Sequence, residues 1–249
     1  MKIITVILLL LSSHCTCAWA AGSATDLLAK FNQAGELYKA GKFDQAASQY
    51  EALAANTIPS AELLYNLGNS YYRAQKPGMA LINYERALRM APRDGDIRYN
   101  ATFIRQQAGE PEPSFAQYMI SVFTGAISLN EAAVLSLVFL YFCAVFGTIW
   151  LFRRYRFALW LTVFSAMLLA ASAAMLVLKA QDEIFTHHAV VTTGPAEVRN
   201  GPDINESVGF SLPEGRSVEI LAVQGDWTAV AIKAEGLKGW LLSKTIQQI

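Results

Sequence analysis

Two long apolar runs in the middle of the chain dominate its hydrophobic pattern. Ala132–Phe152 and Phe157–Leu178 contain no charged side chain. A helix rises about 1.5 Å per residue, so each run would form a helix of roughly 30 Å, which matches the hydrocarbon core of a bilayer. In a soluble protein, the outer face of such a helix would carry a continuous stripe of polar residues. The hydroxyl side chains in the two runs form no such stripe. The pattern therefore predicts two transmembrane helices, at 132–152 and 157–178.

The short segment between the runs, 153–156, predicts how the hairpin is oriented. It holds Arg153, Arg154 and Arg156, whereas Glu131 and Asp182 lie just outside the hairpin. Short loops rich in Lys and Arg stay on the cytoplasmic side. We therefore expect a cytoplasmic turn at 153–156, with both flanking regions on the outer side of a bacterial inner membrane.

The first 20 residues have the features of a secretory signal peptide. Lys2 supplies the positive charge, Ile3–Leu11 is a short apolar stretch, and Ala18-Trp19-Ala20 is a small–x–small cleavage site. The competing interpretation is a lipoprotein signal at Cys15 or Cys17. A signal at 1–20 would export the N-terminal region to the periplasm, in agreement with the arginine turn.

The stretch from 21 to 110 has an internal period. Phe31, Tyr65 and Tyr99 are each followed by asparagine, at intervals of 34 residues. That period is typical of helix–turn–helix repeats. The second unit resembles the tetratricopeptide repeat (TPR) family at Leu64, Leu67, Gly68, Tyr71, Ala80, Tyr84, Ala87 and Pro92. The resemblance implies an all-α repeat domain at 21–110, closed by the opening helix of a third unit, roughly Asp96–Gln107, as a solvating cap.

The TPR resemblance also implies a protein-binding groove lined by the first helix of each unit. Candidate groove residues are Tyr65, Asn69, Tyr72 and Arg73, with Asn66 and Asn100 at the edge. Asparagine amides can bond both the N–H and the C=O of an extended peptide. The alternative is that the tyrosines are core residues and the asparagines bond the turns between helices. Gln75 and Pro77 replace a glycine and an aromatic residue of the family pattern, which predicts an altered turn in the second unit.

A bridge at 111–131 separates the repeats from the first apolar run. Pro111 and Pro113 end the helical pattern. Apolar residues then recur at helical spacing, at Phe115, Met119, Val122, Phe123 and Ala126. This pattern predicts an amphipathic helix that either lies in the membrane interface or packs on the repeats. Ser128 and Glu131 have the spacing of a capping box, which predicts the start of the first apolar helix.

After a linker at 179–188, short β-rich runs alternate with turn residues. The tail resembles the bacterial SH3-like (SH3b) family at Val198, Arg199, Gly201, Pro202, Leu212, Glu214, Gly215, Val218, Asp226, Trp227, Val230, Gly239 and Trp240. The resemblance implies a small all-β SH3-like barrel at 189–249 that binds cell-wall components or peptides. Phe210, Trp227 and Trp240 are candidate surface residues, and packing in the core or rim of the barrel is the alternative for them.

Composition narrows the classes of function. The 20 basic and 20 acidic side chains balance, so there is no basic surplus to bind the phosphates of a nucleic acid. Downstream of the predicted signal peptide, Cys143 is the only cysteine, and His187 and His188 are the only histidines. The sequence contains no HExxH, Cys-x-x-Cys or Gly-rich phosphate loop. We therefore expect no enzyme activity, no catalytic or metal-binding residue, and no cofactor.

The order of the segments carries a further resemblance. A signal peptide, TPR repeats, two membrane spans and an SH3-like domain resemble the BatE-like, TPR-bearing members of the Bat (aerotolerance) proteins. The resemblance implies a non-catalytic inner-membrane scaffold in a Bat/MoxR-type stress-tolerance complex. Its periplasmic domains would bind proteins, including von Willebrand A-domain membrane proteins, and its hairpin would contact lipid. The alternative is a peptidoglycan-binding protein that senses the cell wall and recruits a wall enzyme.

Overall fold

The computed structural model describes residues 25–112, 125–181 and 186–249, together with positions 114, 115, 119, 122 and 184. The predicted signal peptide and most of the predicted amphipathic helix of the bridge lie outside these residues. The chain divides into two compact units, one ending at Lys76 and one beginning at Pro77.

The described part of the first unit consists of three helices. They are α1 (residues 25–39), α2 (Phe43–Asn56) and α3 (Ala61–Arg73). Gly41, with φ of +76°, lies in the turn between α1 and α2 and adopts the left-handed conformation that glycine tolerates best. Small and apolar side chains on successive turns are buried, namely Ala34, Ala46, Ala47, Tyr50, Leu53, Leu63, Leu64 and Leu67.

Polar contacts fix α2 against α3 and the following turn. The Tyr71 hydroxyl donates a hydrogen bond to the Glu51 carboxylate. Burial, reinforced by that hydrogen bond, raises the pKa of Tyr71 above its ordinary value. Lys76 Nζ lies 2.7 Å from Asp44 Oδ1.

Ser60 is the N-cap residue of α3, and its capping hydrogen bond allows a stability prediction. Its Oγ accepts a hydrogen bond of 3.1 Å from the backbone N–H of Leu63. Ser60→Ala leaves that N–H without its cap, so we expect a loss of about 1 kcal/mol in the free energy of unfolding, measured by urea denaturation followed by circular dichroism. Ser48→Ala removes the same atom from an exposed position inside α2 and is the control. Equal stability of the two variants would contradict the capping role.

The second unit begins with two helices, α4 (Pro77–Met90) and α5 (Gly95–Gln107). Pro77 occupies the first turn of α4, where its missing N–H would have no helical partner in any case. The Asp94 side chain caps α5 by accepting hydrogen bonds from the N–H groups of Asp96 and Ile97. In the turn before α4, Gln75 adopts φ of +60°, so it takes the left-handed conformation in place of the expected glycine.

Two apolar helices follow, α6 (Leu129–Arg153) and α7 (Arg156–Ala180). The predicted capping box is confirmed, since Ser128 Oγ accepts from the Glu131 N–H at 3.2 Å and Glu131 Oε2 accepts from the Ser128 N–H at 2.8 Å. Both helices are a few residues longer than the charge-free runs, because helical hydrogen bonding continues into their polar ends. In the described part of the chain, they are the two helices whose length and composition suffice to cross a membrane.

The two apolar helices pack against each other through small and hydroxyl side chains. Ser136 Oγ lies 3.2 Å from Ser172 Oγ, and a Cβ added at Gly147 would lie 3.7 Å from Thr162 Cγ2. Small residues of this kind allow close helix approach in lipid. Many of the large apolar side chains of the two helices point away from the helix contact and are exposed.

The C-terminal region is a seven-stranded antiparallel sheet. Its strands are β1 (His188–Val191), β2 (Ala196–Arg199), β3 (Val208–Leu212), β4 (Ser217–Gln224), β5 (Trp227–Ile232), β6 (Leu237–Leu242) and β7 (Ile246–Gln248). They are ordered β3-β2-β6-β5-β4-β1-β7, and alternate residues form one core around Val191, Val198, Val230 and Leu241.

The expectation of a closed barrel is wrong, because the sheet is open. Closure requires the two outermost strands to share hydrogen bonds, but β3 pairs only with β2 and β7 only with β1 among the described strands. Irregularities in register at Val198/Arg199 and at Ile220/Ala222 bend the sheet without bringing its edges together.

Candidate functional site

A cavity of about 330 Å³ lies in the first unit. Its walls come from α1, α2 and α3, through Phe31, Asn32, Gly35, Glu36, Tyr38, Lys39, Tyr50, Asn66 and Asn69. The 34-residue period places Phe31-Asn32 and Tyr65-Asn66 at the same point of successive repeats. Equivalent helices of two repeats therefore contribute asparagines to one cavity.

Aromatic rings form the apolar part of the cavity. Phe31 and Tyr50 meet edge to face, with ring centroids 5.4 Å apart. Tyr50 is buried, and this burial, followed by the charges of Glu62 and Tyr38, raises the pKa of its hydroxyl. A tyrosine hydroxyl is neutral at physiological pH even at its ordinary pKa, so it can donate a hydrogen bond.

The polar part of the cavity carries both amides and charges. Asn32, Asn66 and Asn69 bring side-chain amides to the lining of the cavity, and an amide contains both donor and acceptor atoms, which are the groups that bond a peptide backbone. Glu36 and Lys39 form an exposed ion pair, with Lys39 Nζ 2.8 Å from Glu36 Oε1. The cavity is therefore suited to a segment of polypeptide whose backbone bonds the amides and whose apolar side chain contacts the aromatic walls.

The structure distributes the six predicted groove residues among different environments. Asn66 and Asn69 line the cavity, whereas Tyr65 and Tyr72 are half-buried on α3 and are not among its lining residues. The exposed Arg73 guanidinium lies 4.5 Å from the centre of the Phe43 ring, a cation–π contact. All six residues remain predicted binding residues.

Asn100 belongs to the second unit. Its side-chain nitrogen lies 3.5 Å from the Tyr84 hydroxyl, so it contacts the neighbouring helix α4. The groove prediction covers residues of the second repeat and Asn100 of the third unit, so it does not include the α1 residues that line the cavity. The repeated aromatic–Asn pair was the signal that identifies Phe31 and Asn32.

The three candidate residues of the sheet do not share one face. Phe210 packs against the sheet core. Trp240 is paired with Ala229, and Trp227 with Leu242, which places both tryptophans on the face opposite the core residues Val230 and Leu241. Trp227 and Trp240 are diagonal neighbours on that face, and both are half-buried.

The three arginines occupy the connection between the apolar helices. Arg153 ends α6, Arg156 begins α7, and Arg154 lies between them with φ of +54°. All three are exposed, and the Arg154 guanidinium lies 5.3 Å from the centre of the Trp150 ring. Their charge is therefore concentrated at one end of the hairpin.

Metal binding and thiol chemistry concern the His, Cys, Asp and Glu side chains. Within the described ranges, no group of three or more His, Cys, Asp or Glu side chains is placed to hold a metal ion. Cys143, in α6, is a free cysteine. The expectation of a protein without enzyme activity stays a prediction.

Comparison with known proteins identifies one part of the chain. Residues 61–94 match the family model of the tetratricopeptide repeat. This range contains α3, the turn at Gln75 and α4. No curated protein sequence matches the chain.

Proposed function

From the tetratricopeptide repeat at 61–94, we propose that this protein is a non-catalytic scaffold that binds partner proteins. Tetratricopeptide repeats suggest protein–protein interaction. The observation that carries the proposal is the cavity between α1, α2 and α3, which combines aromatic walls with three asparagine amides. We assign the partner segment to an extended stretch of polypeptide, since the amides match a peptide backbone.

The proposed place of action is a bacterial inner membrane. Support comes from two helices that suffice in length and apolarity to span a bilayer, with three exposed arginines at the turn between them. With the turn in the cytoplasm, the repeats and the sheet lie in the periplasm. The resemblance to the BatE-like proteins supports a role in a Bat/MoxR-type stress-tolerance complex, with von Willebrand A-domain membrane proteins as partners.

A second candidate function is binding of peptidoglycan by the sheet. The observation that favours it is the diagonal pair of Trp227 and Trp240 on the face opposite the sheet core. Retention of the detergent-solubilised protein on purified peptidoglycan, and its loss in a Trp240→Ala variant that keeps its β-sheet spectrum, would support this function.

Photo-crosslinking from the cavity tests the scaffold function. Asn32 and Gln33 are adjacent, exposed positions of α1, but only Asn32 lines the cavity, since successive residues point about 100° apart around a helix. With benzoylphenylalanine in place of Asn32, we expect covalent capture of a membrane-protein partner in cells, identified by mass spectrometry. Capture of a von Willebrand A-domain protein would support the proposed complex.

The matched control is the same probe at Gln33, from which we expect at most background capture. Capture of the same proteins from both positions would indicate collision rather than binding in the cavity. If neither position captured a protein while the variants accumulated normally in the membrane, the scaffold function would be refuted.

A further inference from the structure

Helix α4 lies directly against the C-terminal sheet. The N–H of Gly78 donates a hydrogen bond of 3.2 Å to Glu214 Oε1, in the loop after β3. A Cβ added at Gly78 would lie only 2.3 Å from the carbonyl oxygen of Val191 and 2.9 Å from Thr192 Cα. Glycine is therefore required at this position, because the two backbones approach too closely for any side chain.

Helix α5 meets the same part of the sheet through the loop between β3 and β4. A Cβ built at Gly215 would lie 3.1 Å from Ile104 Cγ2 and 3.7 Å from Ala108 Cβ. Ile104 and Ala108 are both buried. The next residue, Arg216, is also buried, pairs with Glu235, and donates to the Ala108 carbonyl at 3.4 Å.

Polar contacts continue around this interface. Arg86 and Arg89 of α4 donate to the carbonyl oxygens of Gln248 and Ile249, at 3.1 and 3.4 Å. Glu110 accepts a hydrogen bond of 2.9 Å from the N–H of Ser217, at the start of β4. Backbone groups of the sheet are thus bonded by side chains that follow or belong to the repeat helices.

The burial of Val190 also indicates that a repeat helix packs on the sheet. Its neighbours Ala189 and Val191 point into the sheet core, so Val190 points to the opposite face. Val190 is nevertheless 0% exposed. Helix α4 packs on β1 and covers this face.

We infer that the C-terminal sheet closes the end of the repeat helices α4 and α5, in the place that a further repeat helix would take. Repeat arrays need a terminal element that covers the apolar side of the last repeat. The sequence predicts the opening helix of a third unit as this cap. In the structure, Ile104 and Ala108 of that region are buried and contact the loop between β3 and β4. The apolar hairpin is then an insertion within one folded body, and α4, α5 and the sheet lie on the same side of any membrane that the hairpin crosses.

Cleavage of the intact protein tests this inference. A protease site is inserted between α7 and β1, at 182–186, in the full chain carrying an affinity tag ahead of residue 25. After purification in detergent and cleavage, we expect the sheet fragment to remain bound to the tagged fragment through washing. Release of the sheet fragment from the wild-type protein would overturn the inference.

Two glycine variants provide a matched comparison. Gly78 and Gly95 both lie in the first turn of a repeat helix, so alanine favours the helix equally at both. A Cβ at Gly95 meets nothing within 4 Å, whereas a Cβ at Gly78 collides with the β1 backbone. We expect Gly78→Ala to lower the retained sheet fraction about tenfold relative to Gly95→Ala. Equal retention would overturn the contact between α4 and β1.

A second pair of variants tests the interface without introducing a side chain that collides with the backbone. Glu110→Ala removes the acceptor of the Ser217 N–H, whereas Glu112→Ala removes an exposed carboxylate two residues further on. We expect faster hydrogen exchange at the Ser217 amide in Glu110→Ala only, and unchanged exchange there would count against the interface. This interface does not depend on the cavity in the first unit, so either proposal can fail without the other.

Discussion

Truncation of Leu81 to alanine is expected to lower the free energy of unfolding by about 2–5 kcal/mol. Leu81 lies in α4 and is 0% exposed. The variant loses the transfer free energy of the buried methyl groups, and the cavity that remains is filled only in part by its neighbours. Chemical denaturation in detergent, followed by far-ultraviolet circular dichroism, measures the loss.

Leu28→Ala is the control for this prediction. Leu28 lies in α1 and is 59% exposed, so removal of the same atoms there should change stability by less than about 0.5 kcal/mol. If both variants lost the same stability, α4 would not have the buried position that the structure gives it.

The second large effect concerns the orientation of the hairpin. In a protein with Cys143→Ser, a cysteine introduced at Tyr155 should react with a membrane-impermeant maleimide only after the membrane of spheroplasts is permeabilised. Cysteines at Gln45 in α2 and at Gln224 in β4, both exposed, should react without permeabilisation. This expectation follows from the proposed orientation, because short loops rich in Lys and Arg are retained on the cytoplasmic side of a membrane.

Replacement of the three turn arginines makes the test specific. With Arg153, Arg154 and Arg156 changed to glutamate, we expect the cysteine at position 155 to become reactive from outside, because the basic signal for cytoplasmic retention is lost. The triple change to lysine keeps the charge and should keep the original pattern. Labelling of position 155 from outside in the lysine variant would contradict the proposed orientation.

Local patterns predicted the apolar helices α6 and α7, the third-unit helix α5 and the start of α6. The capping box at Ser128 and Glu131 predicted the start of α6, because its two hydrogen bonds join residues only three apart. The charge-free runs likewise predicted the apolar helices α6 and α7, since a helix satisfies its own backbone whatever surrounds it. The third-unit helix expected from Asp96 begins one residue earlier, at Gly95.

The candidate site was predictable only in part. The sequence predicts Asn66 and Asn69 of the second repeat as groove residues, but not Phe31 and Asn32, which occupy the positions of Tyr65 and Asn66 in the first repeat. The cavity also needs Tyr50 from α2, whose approach to Phe31 depends on how α1 and α2 pack. Spacing along the chain indicates equivalent positions, but it does not show which side chains meet across helices.

The sequence by itself determined the repeat period, the two apolar helices, the basic turn and the β-rich tail, because each depends on residues close together along the chain. The tertiary structure decided that the sheet is open, that Phe210 and the tryptophans lie on opposite sides, and that the sheet packs on α4 and α5. These features depend on strand pairing and on contacts between residues more than 100 positions apart, such as Gly78 with Glu214. Such contacts leave no periodic trace in the order of the amino acids.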